Sequence, residues 1–334
     1  MRKNVAYLAI LAIMTLLPGC TKTEITSGCI AFAPVAAKAT RAIIQDTTYP
    51  EGESFLVSAY HNGTSAYFEG LTATYWSTVN GTKLWETSTT EYWPLEGSLD
   101  FIAYSPANVN STQASERVII DSEGGVIAEG YTVQNTTQMT TDFCYASATV
   151  ADCASHPESV PLAFSHALSQ VVFRVKAADY YNDAQKTVSL TLKSLSLGGI
   201  NSVGSFAAGT WSDQSTEYSY PLFGAPSAPI ALTYGEGNVP DVIDLCAYLY
   251  VPQTLGANAS ITVGYSIVQT VNSSNFTFEN APVTIKLGGA GSAVTQWQPG
   301  KKYIYTLSIG LNDLITFTVT ADDWTSHEAG VVVE

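Results

Sequence analysis

Four histidines, five cysteines and 29 carboxylates are the groups with which this chain could do chemistry, and their spacing limits what that chemistry is. An activated serine needs a sharp strand-to-helix turn, and no Gly-x-Ser-x-Gly occurs. Neither His-Glu-x-x-His nor any Cys-x-x-Cys or His-x-x-x-His pair is present, so no metal site is expected. The Gly-rich run Leu287–Ser292 lacks the Lys-Ser/Thr ending of a phosphate loop and reads as a hairpin loop. His61, His156, His166 and His327 are scattered. Apolar neighbours surround His166, which reads as a structural histidine hydrogen-bonded where two domains join. Asp241 and Asp244 flank a strand start, and Asp322-Asp323 precede Trp324. Glycosidases need two carboxylates about 5–10 Å apart in a cleft, which neighbouring turn carboxylates do not provide. The chain therefore reads as a non-enzyme without a cofactor.

The cysteines divide by position. Residues 1–20, MRKNVAYLAILAIMTLLPGC, join a basic start to an apolar run ending at Pro18-Gly19-Cys20. Thirteen apolar residues suit a secretory signal better than a permanent span. Leu17–Cys20 resembles a bacterial lipobox, so residues 1–19 are expected to be removed and Cys20 acylated, anchoring an exported lipoprotein. Cys144 and Cys153 are nine residues apart and could close a disulfide across a hairpin or loop.

Composition points the same way. The charge is −15, only 13% of residues are charged, and 19 Tyr accompany many Ser, Thr and Asn. A phosphate-binding surface needs a basic patch, so nucleic acid is excluded as a partner. Loss of residues 1–20 leaves 12 Lys+Arg against 29 Asp+Glu, a charge of −17, which favours solubility and self-avoidance at the cell surface.

The elements that would carry these residues are strands. Period-two apolar alternation appears at Phe55-Val57-Ala59, Leu99-Phe101-Ala103, Val171-Phe173-Val175, Val188-Leu190-Leu192 and Ile261-Val263-Tyr265-Ile267. It continues at Val283-Ile285-Leu287, Tyr303-Tyr305-Leu307-Ile309 and Ile315-Phe317-Val319. A shift in phase at Ser194–Leu197 predicts a bulge. Only Ala177–Lys186 reads as a short helix or turn. Gly, Pro and Asn turns between strands predict an all-β chain of antiparallel β-sandwiches. Thr21–Lys38 reads as a tether, and the division expected is a tether or propeptide over 20–41, one sandwich over 42–165 and a second over 166–334. Trp76, Trp85 and Trp93 offer an alternative role as a sugar-stacking platform on a surface glycan-binding lipoprotein.

Several motifs recur in a fixed order. They are Cys20, Ala39-Thr40-Arg41-Ala42, Trp93-Pro94 with Leu99–Tyr104, Phe164–Val171, Leu249–Gln253, Trp297–Tyr303 and Ile315–Thr320 with Trp324. In that order they resemble the fimbrillin family, the lipoprotein fimbrial subunits of Bacteroidales. The resemblance implies two transthyretin-like β-sandwich domains, export to the outer membrane and cell surface, and assembly into fimbriae with subunits of the same kind. It also implies proteolysis near the N-terminus, loss of a first strand, and filling of the opened groove by a neighbour's donor strand. After the signal only Arg41, Arg117 and Arg174 remain; Arg174 lies within the apolar strand Val171–Val175 and Arg117 abuts Val118–Ile120. Arg-directed trimming is thus carried to Arg41-Ala42, with Lys38 a competitor. Val331, Val332 and Val333 form the last apolar run and are the donor-strand candidates, although Ile315–Val319 could serve instead. Stalk, tip and anchor roles are all compatible with these residues, and the membrane, through the lipid, and surface glycans or proteins are further partners.

Overall fold

The computed structural model describes residues 28–36, 49–114, 117–123, 125–224, 227–279, 281–288, 292–311 and 315–324. Cys20, Arg41, Ala42 and Val331–Val333 lie outside these residues, as does the signal segment.

Seven strands form a closed barrel: β1 (Phe32–Ala36), β2 (Phe55–His61), β3 (Ser65–Val79), β4 (Thr82–Thr87), β5 (Leu99–Ser105), β8 (Cys144–Val150) and β9 (Val160–His166). Their order around the ring is β1-β4-β3-β2-β5-β8-β9. The inward alternation at Phe55, Val57, Ala59, Leu99, Phe101 and Ala103 fills this ring, and all six side chains are fully buried. Asn62-Gly63 and Asn80-Gly81 turn the chain into β3 and β4, each pair with positive φ. In the two-residue β3–β4 hairpin both central positions need left-handed backbone, and in the three-residue β2–β3 loop (62–64) the Asn-Gly pair takes the same conformation.

The remaining strands make a sandwich. One sheet runs β14-β10-β20-β21, from β14 (Ile243–Tyr250), β10 (Ser169–Ala177), β20 (Lys301–Ile309) and β21 (Ile315–Asp323). The facing sheet has the path β17-β16-β11-β7-β6, built from β6 (Val118–Asp121), β7 (Gly125–Thr132), β11 (Lys186–Ala207), β16 (Ser260–Val271) and β17 (Ser274–Glu279). Beside it, β12 (Thr210–Phe223) and β13 (Ile230–Ala231) pair with β11, and β18 (Val283–Lys286) pairs with β16. A small ladder joins β15 (Gln253–Thr254) to β19 (Gln296–Trp297), and the helix α1 (Thr136–Thr140) is capped by the Asn135 side chain. Apolar residues of the two sheets meet in one core, including Val171, Leu190, Ile261 and Tyr305.

The predicted phase shift is a bulge in β11, where the register against β16 slips between Leu192 and Ser194. Residues 178–185 form a loop rather than a helix, with Asp183 accepting a 2.9 Å bond from the Lys186 amide. Sequence position and spatial unit part company at two places. The β6–β7 hairpin falls within 42–165, yet it pairs with β11 in the sandwich. Residues 28–36 precede position 42 and were expected to be tether, yet they enter the barrel. Ile30, Phe32 and Pro34 alternate inward there, and burial of that apolar face outweighs the low strand propensity of its alanines.

Candidate functional site

The residues of functional interest gather where β1 closes the barrel. Strand β1 runs parallel to β9 over five registered pairs, from Phe32 opposite Val160 to Ala36 opposite Phe164. On its other side a single pair, Phe32 opposite Trp85, joins it antiparallel to β4. The preceding residues are tied in by backbone bonds: Ile30 N–H to Glu91 O at 2.8 Å and Trp93 N–H to Gly28 O at 2.8 Å. Val160 N–H donates to Ala31 O at 2.8 Å.

The Phe32 side chain is the apolar anchor. Its ring meets Phe55 edge-on at 5.7 Å and Phe101 at 5.5 Å. Edge-to-face pairs add about 0.5–1.5 kcal/mol to the burial of an aromatic ring. Without β1, a slot lined by Trp85, Phe55, Phe101, Val160, Leu162 and Phe164 would face solvent, and the backbones of β4 and β9 would lose their partner.

A second cluster lies at the end of β9. The His166 Nδ1 is 2.7 Å from Asp142 Oδ1 and 3.3 Å from Cys144 Sγ, and its ring stacks on Trp324 with centroids 3.9 Å apart. The structural role expected of His166 fits this position, where the first barrel, the loop before β8 and the end of β21 meet. Burial, with the Asp142 carboxylate beside it, pushes the Cys144 thiol well up. Such a thiol is not poised as a nucleophile.

Two expectations are corrected. Cys144 and Cys153 are both free, so the disulfide considered for them is not formed. Cys144 opens β8 and points into the core beside His166, whereas Cys153 sits in a turn after β8 and is buried at the other end of the barrel wall. The aromatic platform is also absent: Trp85 and Trp93 are buried, Trp93 stacking on His156 at 4.7 Å, and only Trp76 of the three is partly exposed. The carboxylates thought to lie in turns do surface work, Asp244 pairing with Arg174 at 2.6 Å and Asp323 with Lys301.

The fimbrillin-like family model matches residues 40–324. The chain belongs to the fimbrillin-like family. Among solved structures, a fimbrial protein from Bacteroides vulgatus ATCC 8482 is similar at 16% identity, with 90% of this chain and 100% of that chain covered and a TM-score of 0.63. A candidate cell adhesion protein from Bacteroides uniformis ATCC 8492 is similar at 17% identity, covering 89% and 98%, with a TM-score of 0.51. At these identities the likeness is one of fold. No curated protein is significantly similar to this fimbrillin-like chain.

The sequence did not single out β1, because an Ala-rich segment beside a signal peptide has the composition of a tether. Its legible signal is short: Ile30, Phe32 and Pro34 at period two.

Proposed function

We propose that this fimbrillin-like chain is a non-enzymatic structural and adhesive subunit of surface fimbriae, exported as a lipoprotein through Cys20 and trimmed at Arg41-Ala42. Assembly then proceeds by donor-strand exchange with other fimbrial subunits at the outer surface of the cell. The observation that carries this reading is the position of β1. It is a short strand, N-terminal to Arg41, that closes an apolar barrel with five pairs on one side and one on the other.

A cut after Arg41 would sever the backbone between Phe32–Ala36 and the rest of the barrel. Its departure would expose unpaired strand edges and an apolar slot, and an extended strand with alternate apolar side chains satisfies both. Val331–Val333 supply such a run. Removal of the first 41 residues also raises the negative charge to −19, from nine Lys+Arg against 28 Asp+Glu. Self-repulsion of that size disfavours unspecific clumping and leaves assembly to the shaped slot.

The test is a native gel of the purified chain treated with an Arg-specific protease. A ladder of oligomers that appears only after loss of the N-terminal segment is expected. A chain that is cut after Arg41 and stays monomeric, or assembled fibres that retain lipidated Cys20, would refute the reading.

A further inference from the structure

We propose that Asp142, Cys144 and His166 form a binding site for one divalent transition-metal ion of the zinc class, seated where the barrel meets the sandwich. Strand pairing builds the site. Cys144 and His166 are directly opposed in the β8–β9 ladder, which brings their side chains together on one face. Asp142 lies two residues before Cys144, and its Oδ1 is 2.7 Å from His166 Nδ1. The ligand atoms of the three residues all lie within 4.8 Å of one another.

Zinc bonds of about 2.0–2.3 Å place neighbouring ligand atoms about 3.3–3.7 Å apart in a tetrahedral site. The Cys144–His166 contact of 3.3 Å already fits, and the 2.7 Å contact between His166 and Asp142 would open by about half an ångström on loading. A carboxylate, a thiolate and a neutral imidazole around a divalent ion sum to zero charge. That balance matters here, because the Asp142 side chain is 0% exposed and that of His166 3%.

Unsatisfied polar atoms point the same way. Asp142 Oδ2 is buried and has no hydrogen-bond partner among the described residues, and neither does the Tyr131 hydroxyl, which lies in the field of Asp142 and Cys144; His166 would ligate through Nδ1, the nitrogen that faces both. Loading exchanges the Cys144 thiol proton, with any proton held between Asp142 and His166, for the ion, and the protons pass to solvent. All three ligand residues are buried and Trp324 stacks on His166, so the ion would be structural. It would staple the segment before β8 and the start of β8 to the end of β9. The spacing of 142, 144 and 166 matches no zinc motif, because the third ligand comes from the neighbouring strand.

Cobalt(II) titration of the metal-free full chain tests the site, with the ion added both to the folded protein and during refolding. One equivalent per chain should produce a thiolate-to-cobalt charge-transfer band in the near ultraviolet, and zinc should abolish it. Cys144→Ser should remove that band, and Asp142→Asn and His166→Asn should each weaken cobalt binding tenfold or more. A folded wild-type chain that gives no band overturns the proposal, whatever the variants do. So does a band that persists undiminished in Cys144→Ser.

Discussion

Phe32 lies opposite Trp85 as the single registered pair between β1 and β4, while the same residue opens a five-pair parallel ladder with Val160 on β9. The barrel is thus sealed along one side by an extended ladder and along the other by little more than one aromatic pair. Side-chain burial therefore carries much of the hold on this strand.

Replacing the anchor tests that division. Phe32→Ala should destabilise the barrel by about 3–5 kcal/mol, as expected for a fully buried phenylalanine. Val35→Ala, on the outward side of the same strand, should cost within about 0.5 kcal/mol. Denaturant midpoints followed by far-ultraviolet circular dichroism give both values, and equal losses would show that the strand is held by its backbone alone.

Processing has its own assay. Arg41→Ala should suppress cleavage by an Arg-specific protease at that bond almost completely, and with it the oligomer ladder. N-terminal sequencing reads the outcome directly. A wild-type pattern in the variant would move the cut elsewhere, Lys38 being the nearest alternative for a protease that accepts lysine.

Alkaline pH should unfold the chain cooperatively. Burial pushes the hydroxyls of Tyr49, Tyr131 and Tyr250 well up, and that of Tyr305 up to about 12. Unfolded tyrosine ionises near pH 10, so below about that pH the folded and unfolded chains hold these protons equally. Above it the unfolded chain releases protons that the folded chain keeps, and stability falls as pH rises. Tyrosinate absorbance of these buried rings should lag behind that of exposed tyrosines and then appear together with loss of circular dichroism. A smooth titration without unfolding would contradict the burial.

Thiol labelling checks the cysteine assignment. Cys144, Cys153 and Cys246 are free and buried, and burial drives the Cys246 thiol up to about 12. Alkylation of the native chain near neutral pH should be slower at all three by about tenfold or more than in denaturant. Peptide mapping after denaturation without reductant should find Cys144 and Cys153 fully labelled, and an unlabelled linked pair would restore the disulfide.

Strands whose alternate residues are all large and apolar were legible from the sequence, because period two is a direct image of a one-sided core. Val171, Phe173 and Val175 are an example, and the bulge near Ser194 could be read from the same rule by its failure. Three features escaped it. Strand β1 has small residues between its anchors, so its composition masks its period. The side of the joint on which β6 and β7 lie is a matter of long-range pairing that local pattern does not encode. The triad Asp142, Cys144 and His166 exists only through the register of β8 against β9. The tryptophans failed in the opposite sense, since residue type alone does not tell a buried ring from a sugar-binding one.

The β6–β7 hairpin has a mechanical consequence. The chain passes from barrel to sandwich after β5, returns before β8 and crosses again between β9 and β10. Two bodies joined by one linker swivel and pass tension through a single backbone. Here the backbone crosses three times, and Tyr60, Ile102 and Tyr104 from the barrel strands pack into the sandwich core with Val118 and Val126. In a filament of the kind proposed, a pulling force would be shared among the three crossings, and the joint would resist torsion as well as stretch.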